Sequence, residues 1–219
     1  MDKLRLRFEK TDRAIYISHL DLMHTMQRAF SRAGYELKYS EGFNPHPQIS
    51  IALPLSVGMA STCELMDFKL NGEADIALLP GKLTAVMPEG IRVTDCYVPE
   101  TKVAALKYLW VEGCFEYDDR DPHEMAEALN DFYAADEIVI EKKTKRGMGQ
   151  SDIKPAIRSI QCEAGEDAVT VQAVISAQEP TLNPALLADA LRQLAPELEP
   201  DFAKFTRREI YHENMEIFH

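Results

Sequence analysis

Lys3-Leu4-Arg5-Leu6-Arg7-Phe8-Glu9 alternates charged and apolar residues without a break, and its reading decides the fold. A period of two puts Leu4, Leu6 and Phe8 on one face of an extended strand and Arg5 and Arg7 on the other, polar face. The strand continues or bends through Ala14-Ile15-Tyr16-Ile17. Ser18 then suits a helix N-cap, with Asp21 at N3, where the helix dipole favours an anion. Beyond it the period changes. Leu22, Met23, Met26, Ala29, Phe30 and Ala33 recur at three- and four-residue spacing until Gly34 ends the helix. Residues 48–55 read as a second strand and residues 63–70 as a third, cleanly alternating one. A helical stretch over residues 73–87, restarted at Pro80, leads to a fourth strand over residues 92–98. The order is β-α-β-β-α-β.

The second half repeats that order. Residues 108–117 form a strand, and Asp121-Pro122 opens a helix with Met125, Leu129 and Phe132 inward; Pro fits the first helical position, where its missing N–H is no loss. Residues 137–143 and 157–175 supply the middle strands, the latter with a turn at Ala164-Gly165-Glu166-Asp167. Asn183-Pro184 caps a helix carrying Leu186, Leu187, Ala190, Leu191 and Leu194, and residues 204–212 close the sheet. The sequence predicts an α+β chain of two tandem ferredoxin-like βαββαβ units, residues 1–100 and 107–219.

At 219 residues, 46% hydrophobic and 27% charged, the chain has the composition of a folded protein. No apolar run approaches the roughly 20 residues that span a bilayer, and the start is a strand pattern rather than a signal peptide. A cytoplasmic protein without membrane contact is expected. Cys63, Cys96, Cys114 and Cys162 are far apart with no CxxC pair, which favours buried free thiols over disulfides, zinc or an iron–sulfur cluster. No cofactor is expected. The net charge of −12 excludes a protein that coats nucleic acid indiscriminately. The charge is segregated, however: residues 142–158 carry six Lys/Arg against Asp152 alone, and residues 1–48 carry eight Lys/Arg against six Asp/Glu.

Three stretches carry candidate chemistry. Ser18-His19-Leu20-Asp21 lies at a strand-to-helix junction whose outward backbone N–H groups favour an anion. Arg28 and Arg32 extend the same polar stripe along the helix. A solvated helix face with a good N-cap explains the stripe equally well. Glu41-Gly42-Phe43-Asn44-Pro45-His46-Pro47 is a stiff loop, its prolines fixing two φ angles. Phe43, Asn44 and His46 suit stacking on and hydrogen-bonding to an unpaired base, unless Phe43 turns into the core. Lys142, Lys143, Lys145 and Arg146 precede Gly147-Met148-Gly149 in the region between the second and third strands of the second unit. With Lys154 they suit a phosphodiester backbone or, more blandly, a solvated charge cluster. His19 and His46 could form an acid–base pair for metal-independent RNA cleavage, but the spacing supplies no third group. No HxH or HxxxH pair anchors a metal, so none is expected.

Tyr-Ile-Ser-His-Leu-Asp at residues 16–21, Arg28-Ala29, Arg32-Ala33-Gly34, the run from Tyr39 to Pro47, Ala52-Leu53-Pro54-Leu55-Ser56-Val57-Gly58 and Glu64-Leu65-Met66-Asp67 together resemble one family. It is the uncharacterised bacterial radical-SAM-linked family, whose domains occur alone or fused behind a radical-SAM enzyme. The similarity continues through Asp152-Ile153-Lys154-Pro155. The resemblance implies a partnership with a radical-SAM protein, whose substrates in related systems are often tRNA or rRNA. It assigns no catalytic residues, and this chain lacks the CxxxCxxC that would hold the radical enzyme's cluster. The expectation is a non-catalytic RNA-binding or substrate-presenting accessory. The rivals are a metal-independent endoribonuclease using His19 or His46, and an acidic protein–protein scaffold.

Overall fold

Strand β1 (Leu4–Lys10) realises the opening alternation, with Leu4, Leu6 and Phe8 fully buried. The structure, a computed structural model, describes residues 3–144 and 147–219. The chain is α+β and divides into two units, one ending at Ala105 but including His219, the other Leu106–Phe218.

In the first unit β1 pairs antiparallel with β3 (Ala60–Phe68) on one side and β4 (Ile91–Tyr97) on the other. Strand β2 (Ile49–Ala52) adds to β3, giving the order β4-β1-β3-β2. Helix α1 (His19–Arg32) buries Leu22, Met26, Ala29 and Phe30, and the Phe30 ring lies 4.9 Å from that of Phe68. Fully burying a side chain the size of Leu22, Met26 or Phe30 contributes about 1.5–3 kcal/mol. Helix α2 (Leu79–Thr84) begins with Pro80 in its first turn and buries Leu79 and Leu83.

Three local expectations change. Ala14–Ile17 does not extend β1, because residues Asp12–Tyr16 form a 3-10 turn with Asp12 at φ 47°, a conformation Asp tolerates. The Ile15 carbonyl there accepts from Lys10 Nζ at 3.0 Å and from the Gly58 N–H at 2.9 Å. Strand β2 stops at Ala52, since Leu53 takes φ 47° ahead of Pro54. The polar face of β1 is not open to water either. Arg5 is 0% exposed and lies opposite Asp67 on β3, to which it donates at 2.6 Å through Nε and 3.2 Å through Nη2. Lys3 Nζ joins the same carboxylate at 2.7 Å.

The second unit is built on β5 (Tyr108–Glu116), paired antiparallel with β10 (Phe202–Tyr211) and β9 (Ala168–Ser176). Strand β8 (Ile157–Ala164) completes the order β10-β5-β9-β8. Helices α3 (Pro122–Ala134) and α4 (Ala185–Leu194) bury Leu129, Tyr133, Leu187 and Leu191, and the Tyr133 hydroxyl donates to the Leu187 carbonyl at 2.9 Å. Both middle strands thus come from residues 157–176. The segment expected to be one of them, residues 137–143, pairs elsewhere. It forms β6 (Val139–Thr144), which joins β7 (Gly147–Asp152) in a separate two-stranded sheet between α3 and β8. The segment is a strand as expected, but a strand signal in one segment does not name its partner. The short turn between β8 and β9 makes their pairing local and leaves residues 139–152 to pair with themselves.

Two side-chain amides close strand edges in this unit. Asn130 of α3 donates from Nδ2 to the Cys162 carbonyl on β8 at 2.8 Å and accepts the Cys162 N–H at 2.9 Å. Gln193 of α4 does the same for Glu141 on β6, at 3.0 Å and 2.7 Å.

Candidate nucleic-acid interface

The N-terminus of α1 forms as its residues dictate. Ser18 Oγ accepts the Asp21 N–H at 3.2 Å and donates to the Asp21 carboxylate at 2.7 Å, so the first turn is capped from within. His19 is exposed on that turn. Arg28 and Arg32 lie nine and thirteen residues further on. At a rise of 1.5 Å per residue this is about 14 and 20 Å along the axis. The junction and the two arginines therefore cannot grip one phosphate together.

The other end of α1 holds a cavity that the sequence did not announce. The helix closes in a Schellman motif: Gly34 takes φ +83°, and the Tyr35 N–H donates back to the Phe30 carbonyl at 2.9 Å. The chain then runs on past Tyr39, leaving a groove of about 760 Å³ lined by Arg28, Ser31, Arg32, Tyr35 and Tyr39 among others. Arg32 Nη2 donates to the Val86 carbonyl at 2.8 Å. Lys82 Nζ stands 5.3 Å from the centre of the Tyr35 ring. Glu36, the carboxylate of the groove, accepts from Asn71 Nδ2 at 3.1 Å.

The following loop is closed on itself. Tyr39 and Pro47 form an isolated antiparallel bridge, and the Ser40 N–H donates to the His46 carbonyl at 2.9 Å. The His46 N–H donates to Ser40 Oγ at 3.1 Å, and that oxygen lies 3.0 Å from His46 Nδ1. Phe43, at the tip beside Gly42 (φ +119°), is 112% exposed and so stands clear of the core. Asn44 is exposed beside it. No hydrogen bond joins His19 to His46, whose imidazole is turned toward Ser40 within its own loop.

In the second unit Lys142 and Lys143 lie on β6, ahead of the point where the hairpin turns; Lys145 and Arg146 lie outside the described residues. The basic run thus precedes the unit's second strand rather than following it. Asp152 fixes the hairpin's base, accepting the Ile138 and Lys154 N–H groups at 2.9 Å and 3.0 Å. Lys154 is drawn inward: its Nζ donates to the Tyr133 carbonyl at 2.5 Å, at the negative end of α3. That gives it a structural task.

All four cysteines are thiols outside any disulfide. Burial pushes the Cys96 and Cys162 thiols up to about 12, with Asp95 adding to the effect at Cys96, and burial also raises Cys114. Among the described residues, no three His, Cys, Asp or Glu side chains cluster as a metal site would require. Among the same residues, no helix is long and apolar enough to cross a membrane.

Fold and surface thus define an α+β chain with cationic and aromatic groups on its exposed helix face, loop and hairpin. The chain belongs to the family described as an uncharacterized protein conserved in bacteria (DUF2344), which matches residues 3–184. No curated protein matches it. Among solved structures it is similar to a chain in the crystal structure of a Cbf5–Nop10–Gar1 complex, at 11% identity and a TM-score of 0.50. That likeness covers 94% of this chain and 48% of the other, so this chain spans about half the length of that relative. At this identity it shows the fold alone. The small subunit of acetolactate synthase from Thermotoga maritima is a further match, at 9% identity, a TM-score of 0.27 and 94% coverage of both chains.

Proposed function

We propose that the protein is a non-catalytic RNA-binding or substrate-presenting accessory to a radical-SAM RNA-modifying enzyme. The observation that carries this reading is the loop from Tyr39 to Pro47. It holds a fully exposed Phe43 at the tip of a segment whose own hydrogen bonds restrict its motion. A pre-ordered, exposed aromatic ring stacks on an unpaired base with little entropy loss. Lys142 and Lys143 supply cations on a separate element, in a chain whose net charge is −12. Each phosphate they neutralise releases counterions. The radical-SAM partner rests on the family resemblance of the N-terminal motifs, and tRNA and rRNA are its RNA candidates. Cellular crosslinking, with sequencing of bound RNA and mass spectrometry of bound protein, tests both halves. Recovery of tRNA or rRNA together with a radical-SAM protein supports the reading; a chain that crosslinks to neither overturns it.

A further inference from the structure

We propose that the groove at the C-terminal end of α1 is a subsite for one unpaired ribonucleotide, its base lying on Tyr39 and its flanking phosphates held by Arg28 and Arg32. The inference rests on the RNA-binding reading and goes further, because it names a place and a ligand class that the loop and hairpin do not. At about 760 Å³ the groove falls within the range of small-ligand sites. Its lining pairs the two kinds of group a nucleotide needs. Tyr39 lines the groove and is half exposed, an aromatic side chain within reach of a base. Arg28, one helical turn from Arg32, has no hydrogen-bond or ion-pair partner among the described residues. Arg32 commits an N–H of Nη2 to the Val86 carbonyl, and the guanidinium's remaining donors are available to a phosphate. Four residues of helix separate the two arginines by about 6 Å along the axis, a distance that adjacent phosphodiesters of an unstacked strand can bridge.

Neighbouring charges favour the same ligand. The positive charges of Arg28, Arg32 and Lys82 outnumber the single carboxylate of Glu36, which is itself hydrogen-bonded to Asn71. An apolar helix would want mainly aliphatic walls, and the groove offers one leucine, Leu37, beside arginines and tyrosine rings. Continuity supports a strand rather than a free nucleotide: Tyr39 opens the loop whose tip is Phe43, so a second base has its own ring four residues along the chain. A duplex, with its bases already stacked on each other, could use the cations but not the rings.

The test is fluorescence anisotropy of the full chain with a short unstructured oligoribonucleotide and with a blunt RNA duplex of equal length, over a salt series. Tyr39→Leu should weaken single-strand binding about tenfold and leave the duplex unaffected, while Tyr39→Phe keeps wild-type affinity. Arg28→Ala should lower the single-strand salt slope by about 0.7, the value of one lost phosphate contact. Arg28 is exposed, so this variant tests the subsite even if Tyr39→Leu fails to fold. If Arg28→Ala and a folded Tyr39→Leu bind the single strand as wild type does, the subsite is overturned while RNA binding through the hairpin stands. That outcome is also the one expected if the groove takes an acidic protein segment. Equal losses for single strand and duplex overturn the stacking role of Tyr39. A wild-type chain that binds neither RNA at low salt overturns the RNA reading itself.

Discussion

The two units follow the same path and differ most at the same station. In each, the first helix leads to the second strand of the βαββαβ order, and in each that crossover carries the elaboration. In the first unit, residues 33–48 between α1 and β2 make a groove wall and a loop with an exposed phenylalanine. In the second, residues 135–156 between α3 and β8 make a two-stranded sheet bearing lysines. One crossover offers rings and the other charge. The scaffolds differ as well: the first unit buries an ion pair between adjacent strands, whereas the second ties its helices to strand backbones with carboxamides. A shared topology thus fixes where a surface can be elaborated, and the local sequence decides what the elaboration recognises.

The largest test of this contrast is Asp67→Ala. Removing one partner of a buried pair leaves the Arg5 guanidinium without its countercharge and should cost about 3–5 kcal/mol, read by denaturant unfolding. Burial alone would raise the Asp67 carboxyl, but hydrogen bonds from Arg5 and Lys3 outweigh it and hold the group below its ordinary value. A depressed folded-state value means that the stabilisation is complete above about pH 4 and is lost as pH falls through the folded value. Asp67→Asn should flatten that acid limb; an unchanged limb would show that other carboxylates govern it.

Asn130→Ala should destabilise by about 1–2 kcal/mol, because it leaves both backbone groups of Cys162 without their side-chain partner. Hydrogen exchange should speed up first in β8, and a uniform rise across the unit would contradict the clasp. Lys142→Ala with Lys143→Ala, Lys145→Ala and Arg146→Ala should weaken RNA binding about tenfold at moderate salt and reduce the salt slope. Unfolding free energy should stay within about 0.5 kcal/mol of wild type. Binding unchanged at low salt would reduce the hairpin to a solvated face. The smallest effect is expected from Ser40→Ala and His46→Ala, each lowering single-strand affinity a few-fold without moving the melting temperature. If the pair acts by ordering the loop, the double variant should match the singles; additive losses would mean that His46 touches RNA directly.

What was legible in the sequence was local. The alternation of β1, the Ser18 cap, the Gly34 stop and the Pro122 start each depend on a few neighbouring residues, and each stands where the pattern put it. What was hidden depends on distance along the chain. Arg5 read as a solvent-facing residue because Asp67 is 62 positions away. Residues 137–143 read correctly as strand, yet their partner was misassigned, because pairing is a property of two segments. Tyr35 and Tyr39 drew no notice as site residues, since the groove exists only after Gly34 has reversed the chain. Phe43 could be read as core or as surface, and its full exposure decides between them.

The amides of Gln193 and Asn130 have a consequence for the protein in a crowded cell. A primary carboxamide carries a donor and an acceptor much as a peptide group does, so each stands in for one residue of an absent neighbouring strand. Glu141 and Cys162 lie on β6 and on the outer strand β8, where an open ladder would otherwise invite another chain to pair. By filling those positions from within, the second unit can hold out a strand-built basic arm without offering these points as a template for self-association.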